Sequence, residues 1–416
     1  MHLPRSIYVI SAAELVNSLG NFVGPFKTLL ITQVLGFSAG QAGMIVTAVY
    51  VFMYIPGALM GGKLADHYGR KNMLMLSLSG RAVCYATCAF TSQPWTVIVL
   101  MGIAVFFMAA SMPIMSSIMM DITTPENRKA SFSLEYLGHN IGFALGPMIA
   151  GFMFNNYLQW VFLGDALTTT LMVGMILIMI PETRPSNSVM EASMTEDGDE
   201  RAEVGSLFSA LLRRPILLIF SLTLIMYTLV LGQNSFSLPI YLNEIFGRQG
   251  PQYYGFVMTA NGLGVVLLTT IITSITLRID PILSVALAGG MLAVGFGSLF
   301  FFSRLLFFLL SAVIWTVGEI LLVTNSSVLI ANHAPMSHRG RFGAVIPLVT
   351  GIGYALGPAI IGRYIDVVGT VLVWPLLAFI ALIGAGFMIL LFIRQRTILF
   401  NKKKLLRMTD LQSAGE

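Results

Sequence analysis

A chain of 416 residues that is 56% hydrophobic and only 10% charged does not suit a soluble fold. Soluble domains are roughly 25% charged, and a single soluble core stops growing at about 250–300 residues, so the surplus apolar surface points to lipid. The net charge of +5 comes from 24 basic and 19 acidic residues, and its placement between apolar runs is a signal of membrane orientation that gives no support to a nucleic-acid partner.

A membrane helix needs about 20 mostly apolar residues. The opening residues Met1–Arg5 run straight into such a stretch, which is read as a membrane helix and not as a cleavable signal. The runs fall near 6–34, 41–62, 72–92, 95–120, 130–155 and 158–180, then near 215–243, 252–277, 282–302, 305–331, 342–365 and 369–394. Residues 181–214 between the two sets hold Glu191, Glu196, Asp197, Asp199, Glu200 and Glu203, a charge density that belongs to a solvated linker. The even-numbered connections carry Lys63, Arg70, Lys71, Arg128, Lys129, Arg278, Arg339 and Arg341, whereas the odd ones offer only Arg248 and Arg304. The expectation is an all-α integral membrane protein with twelve transmembrane helices and both termini in the cytoplasm of a cell membrane. Its parts are a bundle over 1–180, a linker over 181–214, a second bundle over 215–394 and a tail over 395–416.

The halves repeat. Ile141-Gly-Phe-Ala-Leu-Gly-Pro-Met-Ile-Ala-Gly151 and Ile352-Gly-Tyr-Ala-Leu-Gly-Pro-Ala-Ile-Ile-Gly362 agree at eight of eleven positions with an offset of 211 residues. Two related six-helix halves place a site at their interface. The small residues Gly142, Gly146, Pro147 and Gly151, with Gly353, Gly357, Pro358 and Gly362, are expected to pack helices closely in one conformational state.

After the second run comes Gly61-Gly-Lys-Leu-Ala-Asp-His-Tyr-Gly-Arg-Lys71. It resembles the loop signature of the major facilitator superfamily, with Gly62, Asp66, Gly69, Arg70 and Lys71 at its characteristic positions and His67 as a departure. The stretch Gly142–Gly151 resembles the antiporter signature of that superfamily, and Pro181-Glu-Thr-Arg184 is also similar to family members. A finer resemblance is to twelve-helix drug/proton antiporters, particularly the LmrP-type bacterial multidrug exporters. It is carried by Pro125-Glu-Asn-Arg-Lys129 with Glu135, by Thr316-Val-Gly-Glu-Ile320 and by Arg81. That resemblance implies proton coupling or cation binding at Glu135 and Glu319. The fourth run lacks the arginine many of these antiporters carry, and Gln233 and Asn234 stand where some relatives have an acid.

Charges inside the apolar runs need a cavity, a partner or a proton, because an ionised carboxylate at mid-bilayer costs at least about 2.5–3.5 kcal/mol. Glu319, Glu14 and Glu135 are the carboxylate candidates for coupling, Glu135 being equally readable as an ion pair with a loop arginine. Asp165 reads as structural. Arg81 is expected to pair with Glu14 or Glu135, and Lys27 and Arg363 to snorkel outward. Glu14, Asn17 and Asn21 share one helical face, and Gln233, Asn234, Ser235 and Ser237 precede the kinking Pro239. Met112 and Met115 belong to a methionine series flanking Pro113 that suits varied apolar ligands. With Asn325 beyond Glu319, these residues are the expected cavity lining.

Cys84 and Cys88 lie one turn apart in one apolar run, and no zinc spacing, phosphate loop or nucleophile motif is present, so no metal, cofactor or enzyme is expected. The reading is a monomeric secondary transporter exporting amphipathic or cationic small molecules against inward proton flow. Sugar, peptide or lipid transport is the second reading, and a non-transporting receptor a remote third.

Overall fold

The computed structural model describes residues 3–183, 215–333 and 339–413. The linker residues beyond Thr183 and the side chains of Ser327, Arg339 and Phe342 lie outside the described residues. Among them, fifteen α-helices build the twelve spans.

In the first half, span one is α1 (Arg5–Leu19) and α2 (Val23–Leu29), the latter running into a π turn over Leu30–Val34. Span two is α3 (Ala39–Val49) and α4 (Ile55–Tyr68), joined by a second π turn, Tyr50–Tyr54. Then come α5 (Arg70–Cys88), α6 (Pro94–Asp121), α7 (Pro125–Met153) and α8 (Leu158–Met179). In the second half, α9 (Pro215–Leu231) and α10 (Ser237–Phe246) form one span, followed by α11 (Gly250–Thr276), α12 (Pro281–Ser298), α13 (Leu305–His333), α14 (Arg339–Val368) and α15 (Val373–Ser413). The stretch expected as a tail begins as a continuation of α15.

Local chemistry sets these boundaries. Ser38 and Thr124 form capping boxes with Gln41 and Asn127. Prolines open α6, α7 and α12, where a missing N–H has no cost. Gly69 adopts φ +97° between α4 and α5, a left-handed value that a side chain resists. Among the described residues, seven stretches are long and apolar enough to cross a bilayer by length and composition alone. The spans that fall short of that measure include those carrying Glu14, Arg81 and Glu135, polar groups that lower mean hydropathy. Ile178 and Leu277, 84% and 81% exposed, belong to the apolar outer surface that faces lipid.

The two bundles repeat one packing scheme. In the first, α1 packs on α7 and α8, α5 on α6 and α8, and α4 on α6. In the second, α9 packs on α14 and α15, α12 on α13 and α15, and α11 on α13. Two seams join the bundles, α3 against α14 and α7 against α11. Both are backbone contacts. A Cβ on Gly255 would lie 2.5 Å from the Pro147 carbonyl oxygen, and one on Gly43 would overlap the Pro358 carbonyl. The repeated motifs thus meet equivalent glycines in the opposite bundle, Pro147 against Gly255 and Pro358 against Gly43. Their other face holds their own bundle together: a Cβ on Gly142 would come 2.5 Å from the Leu15 carbonyl, while Gly353 is pressed against Ile225 and Thr228.

Both seams lie at the end of the molecule away from the basic loop Gly69–Lys71. There Ser38 Oγ and the Gly40 amide donate to Asp366 Oδ2 at 2.8 and 3.0 Å, and Arg248 donates to Asn156 at 2.7 Å. Thr28 donates to the Ser235 carbonyl at 2.8 Å and Thr47 to that of Ala355 at 2.6 Å. This far end is closed.

Replacing Gly43 or Gly255 by leucine is expected to force the far-end seam apart while the protein still inserts. Spin labels on Asn155 and Gln249 should report longer distances than in the wild type. An unchanged distribution would mean that the seam tolerates a side chain.

Candidate functional site

The first helix of each half is broken at its middle by a glycine, Gly20 in one and Gly232 in the other. The chain is non-α-helical over 20–22 and turns through a tight 3-10 segment over Gly232–Asn234. Such breaks occur at membrane depth where the freed backbone groups find protein partners or line a cavity. Here they border one. The central space has two lobes that share Asn21, Tyr54 and Met108 in their walls: a far-end lobe of about 410 Å³ and a lobe of about 540 Å³ nearer the basic loop.

The lobe nearer the basic loop collects most of the acidic candidates. Glu14, Asn17, Asn21, Glu135, Met112 and Met115 all line it. His139, which sequence reading passed over, completes the cluster. Its Nδ1 lies 2.9 Å from both Glu14 Oε1 and Ser18 Oγ, and Ser18 donates to Glu14 at 3.1 Å. The four-residue spacing of Glu135 and His139 on α7 was the available signal, since it places both on one face. Asn17 is also tied to α8, accepting from Thr169 Oγ1 at 3.1 Å.

Arg81 borders the same lobe but does not pair as the sequence suggested. Its guanidinium donates to Asp165 at 2.7 Å, with side chains 6% and 0% exposed. The other oxygen of Asp165 accepts from the Val23 amide at 3.2 Å, at the first residue of α2. One carboxylate therefore neutralises the buried cation and caps the helix that restarts after the Gly20 break. Neither Glu14 nor Glu135 was placed to do both. The Arg81 guanidinium also sits 5.6 Å from the Tyr85 ring centroid.

Glu319 lies in the other half. It accepts from Asn261 Nδ2 at 3.1 Å, and the same amide donates to Thr316 Oγ1 at 2.8 Å. Glu319 and Asn234 line a third cavity of about 230 Å³ together with Gly24, Ser235 and Tyr254. Gly24 and Ser235 also line the far-end lobe, so this carboxylate borders the central space. No cation neighbours it among the described ion pairs.

Several expectations fail for one reason: a polar group in lipid satisfies itself on nearby backbone. Gln233 is fully buried, donating to the Leu229 carbonyl at 3.0 Å and accepting from Ser237 at 2.6 Å. Asn325 is buried and donates to the Leu321 carbonyl at 2.9 Å. Neither lines the described cavities, and each spends a side-chain donor on a carbonyl of its own span. Lys27, expected to snorkel, instead lines the far-end lobe, whereas Arg363 is exposed.

The loop candidates also change roles. Asp66 pairs at 3.8 Å with Arg70, which also pairs with Asp121. The start of α5 is capped by Glu182, a residue beyond span six, which accepts from the Arg70 amide at 2.9 Å. Lys71 donates to the Leu177 carbonyl at 2.8 Å. A Cβ on Gly62 would meet Pro113 at an ordinary contact distance of 3.9 Å, and the close approach to α6 belongs to Gly61.

The sequence profile of the Major Facilitator Superfamily matches residues 10–358. The chain belongs to this superfamily. It is 24% identical over 394 residues to a Na(+), Li(+), K(+)/H(+) antiporter of Planococcus maritimus, covering 85% of this chain and 88% of that one. It is 26% identical over 211 residues to the class H tetracycline resistance protein of Pasteurella multocida, covering 49% and 51%. Among solved structures, a variant of the peptide transporter POT in complex with sulfate superposes with a TM-score of 0.76 at 15% identity, covering 94% of this chain and 95% of that one. The protein is thus a multi-pass membrane transporter with the major facilitator fold, two pseudo-symmetric six-helix bundles and twelve spans.

Removing Asp165 would leave Arg81 buried without its counter-charge. Asp165→Asn is expected to destabilise the folded protein by about 3–5 kcal/mol, read as a lowered unfolding midpoint in detergent. The double change Arg81→Met with Asp165→Leu should recover much of that loss. Equal loss in single and double variants would refute the pairing.

Proposed function

We propose that the protein is a proton-coupled exporter of amphipathic, mainly cationic small molecules that works by alternating access. The observation that carries this reading is the environment of Glu319. It is a carboxylate at mid-span whose described partner is a neutral amide, at the border of a cavity of about 230 Å³ that shares Gly24 and Ser235 with the far-end lobe of about 410 Å³. Such a group is stabilised by taking up a proton or by a cationic ligand, and a site that accepts either exchanges one for the other. Pockets of about 300–1,000 Å³ suit small organic molecules.

Glu14, Glu135 and His139 form a second acidic cluster in the lobe nearer the basic loop. With the basic loop and both termini in the cytoplasm, that lobe is the inward entrance and the seams close the outside. Residues 1–180 then rock against residues 215–394. Cation entry from the cytoplasm meets Glu14 and Glu135 first and Glu319 later. Proton binding biases the bundle equilibrium by favouring the state in which these carboxylates are buried. The relatives named as a cation/proton antiporter and a tetracycline resistance protein support export by exchange. The protein is proposed to act as a monomer in the cell membrane, with no cofactor.

The test is uptake of ethidium into inside-out proteoliposomes under an imposed pH gradient. Wild type is expected to accumulate the dye only with the gradient, and Glu319→Gln to lower the initial rate by about tenfold or more, the equivalent of roughly 1.4 kcal/mol of coupling. Glu14→Gln should weaken dye binding while leaving some gradient response. Uptake in Glu319→Gln equal to wild type would remove Glu319 from the coupling path.

A further inference from the structure

The two lobes of the central space have opposite chemistry. Glu14 and Glu135 line the one nearer the basic loop. No acidic residue lines the far-end lobe, and its one charged side chain is Lys27 on α2. No described carboxylate pairs with Lys27, since the nearby buried acid, Asp165, is committed to Arg81 and to the Val23 amide. The same lobe is lined by Asn21, Tyr50, Tyr54 and Tyr354 on an otherwise largely apolar wall, the Tyr54 hydroxyl donating to Met112 Sδ at 3.7 Å. The Tyr50 and Tyr54 rings stack with centroids 4.7 Å apart, giving a flat aromatic face.

We propose that the far-end lobe is an anion subsite in which Lys27 holds the acidic group of an aromatic organic anion or zwitterion. An ammonium on a largely apolar wall with no paired carboxylate is short of counter-charge, and a ligand carboxylate, sulfonate or phosphate supplies it. Tyrosine hydroxyls and an asparagine amide complete the donor set, and the tyrosine rings cover a planar apolar body. The lobe volume of about 410 Å³ admits a two-ring aromatic acid. A zwitterion laid across both lobes would set its cationic end near Glu14 and Glu135 and its anionic end on Lys27. This extends the substrate class beyond simple cations, and it rests on the export reading only in taking the central space as the substrate path.

The experiment uses the full chain in lipid nanodiscs with 2-naphthoate and its uncharged analogue 2-naphthamide as probes. Wild type is expected to bind the carboxylate at least tenfold more tightly than the amide. Lys27→Met should abolish that preference, and Lys27→Arg should retain it. A second measurement needs no variant: labelling of the Lys27 amine in wild type by a small amine-reactive reagent should be slowed by naphthoate and not by naphthamide. Equal affinity of wild type for the two probes, an undiminished preference in Lys27→Met, or labelling indifferent to naphthoate would each overturn the assignment. Ethidium uptake separates the two readings. Lost uptake with an intact carboxylate preference defeats cation export alone, and intact uptake with no preference defeats the anion subsite alone.

Discussion

The structure depends on two seams where backbone meets backbone. At Gly43 with Pro358 and at Gly255 with Pro147, helices from opposite bundles approach until no side chain fits between them. In lipid there is little hydrophobic gain from bringing two helices together, so association rests on close van der Waals packing and on whatever hydrogen bonds the approach allows. Glycines at the contacts supply the close packing, and across the first seam Ser38 donates to Asp366 and Thr47 to the Ala355 carbonyl. Because each motif also packs on the first helix of its own bundle, the seam is linked to the broken spans at Gly20 and Gly232 that border the cavity. A change at the seam is therefore felt at the site.

The buried charges are resolved in three different ways, and each difference has a consequence. Arg81 and Asp165 neutralise each other and cap a helix, which fixes them in place. Glu14 shares a histidine and a serine, an arrangement with protons to give and to take. Glu319 has a neutral amide and an open cavity. Ion pairs whose charges cancel in the core stabilise a single state, whereas charged groups facing a cavity without an opposite charge respond to ligands. The division between scaffold and working parts follows from that accounting.

Much of the architecture is legible in the sequence. The twelve apolar runs, the basic loops on alternate connections and the 211-residue repeat can all be read directly. Each depends on composition or periodicity, which the bilayer enforces locally by requiring every span to satisfy its own backbone. Glu14 and Asn17 share a face of α1 for the same local reason, whereas Asn21 reaches the same lobe from the non-helical stretch 20–22. The motif around Pro147 and Pro358 announces close packing, because glycine at helical spacing has few other uses in a membrane.

What the sequence does not hold is the identity of partners distant along the chain. Asp165 stands 84 residues from Arg81, His139 stands 125 from Glu14, and Asn261 stands 58 from Glu319. Glu14 or Glu135 could serve Arg81 equally well by charge, and the register of α5 against α8 selects Asp165. Gln233 and Asn325 look like cavity residues by type, yet they bond to groups of their own spans and line none of the described cavities. Lys27 resembles a snorkelling surface lysine until the break at Gly20 turns α2 inward. Composition and periodicity determined the membrane, the spans and the twofold repeat, because those are set segment by segment. Only the tertiary structure decided which charges cancel and which face the cavity, because that depends on helix rotation and on contacts between segments the sequence keeps far apart.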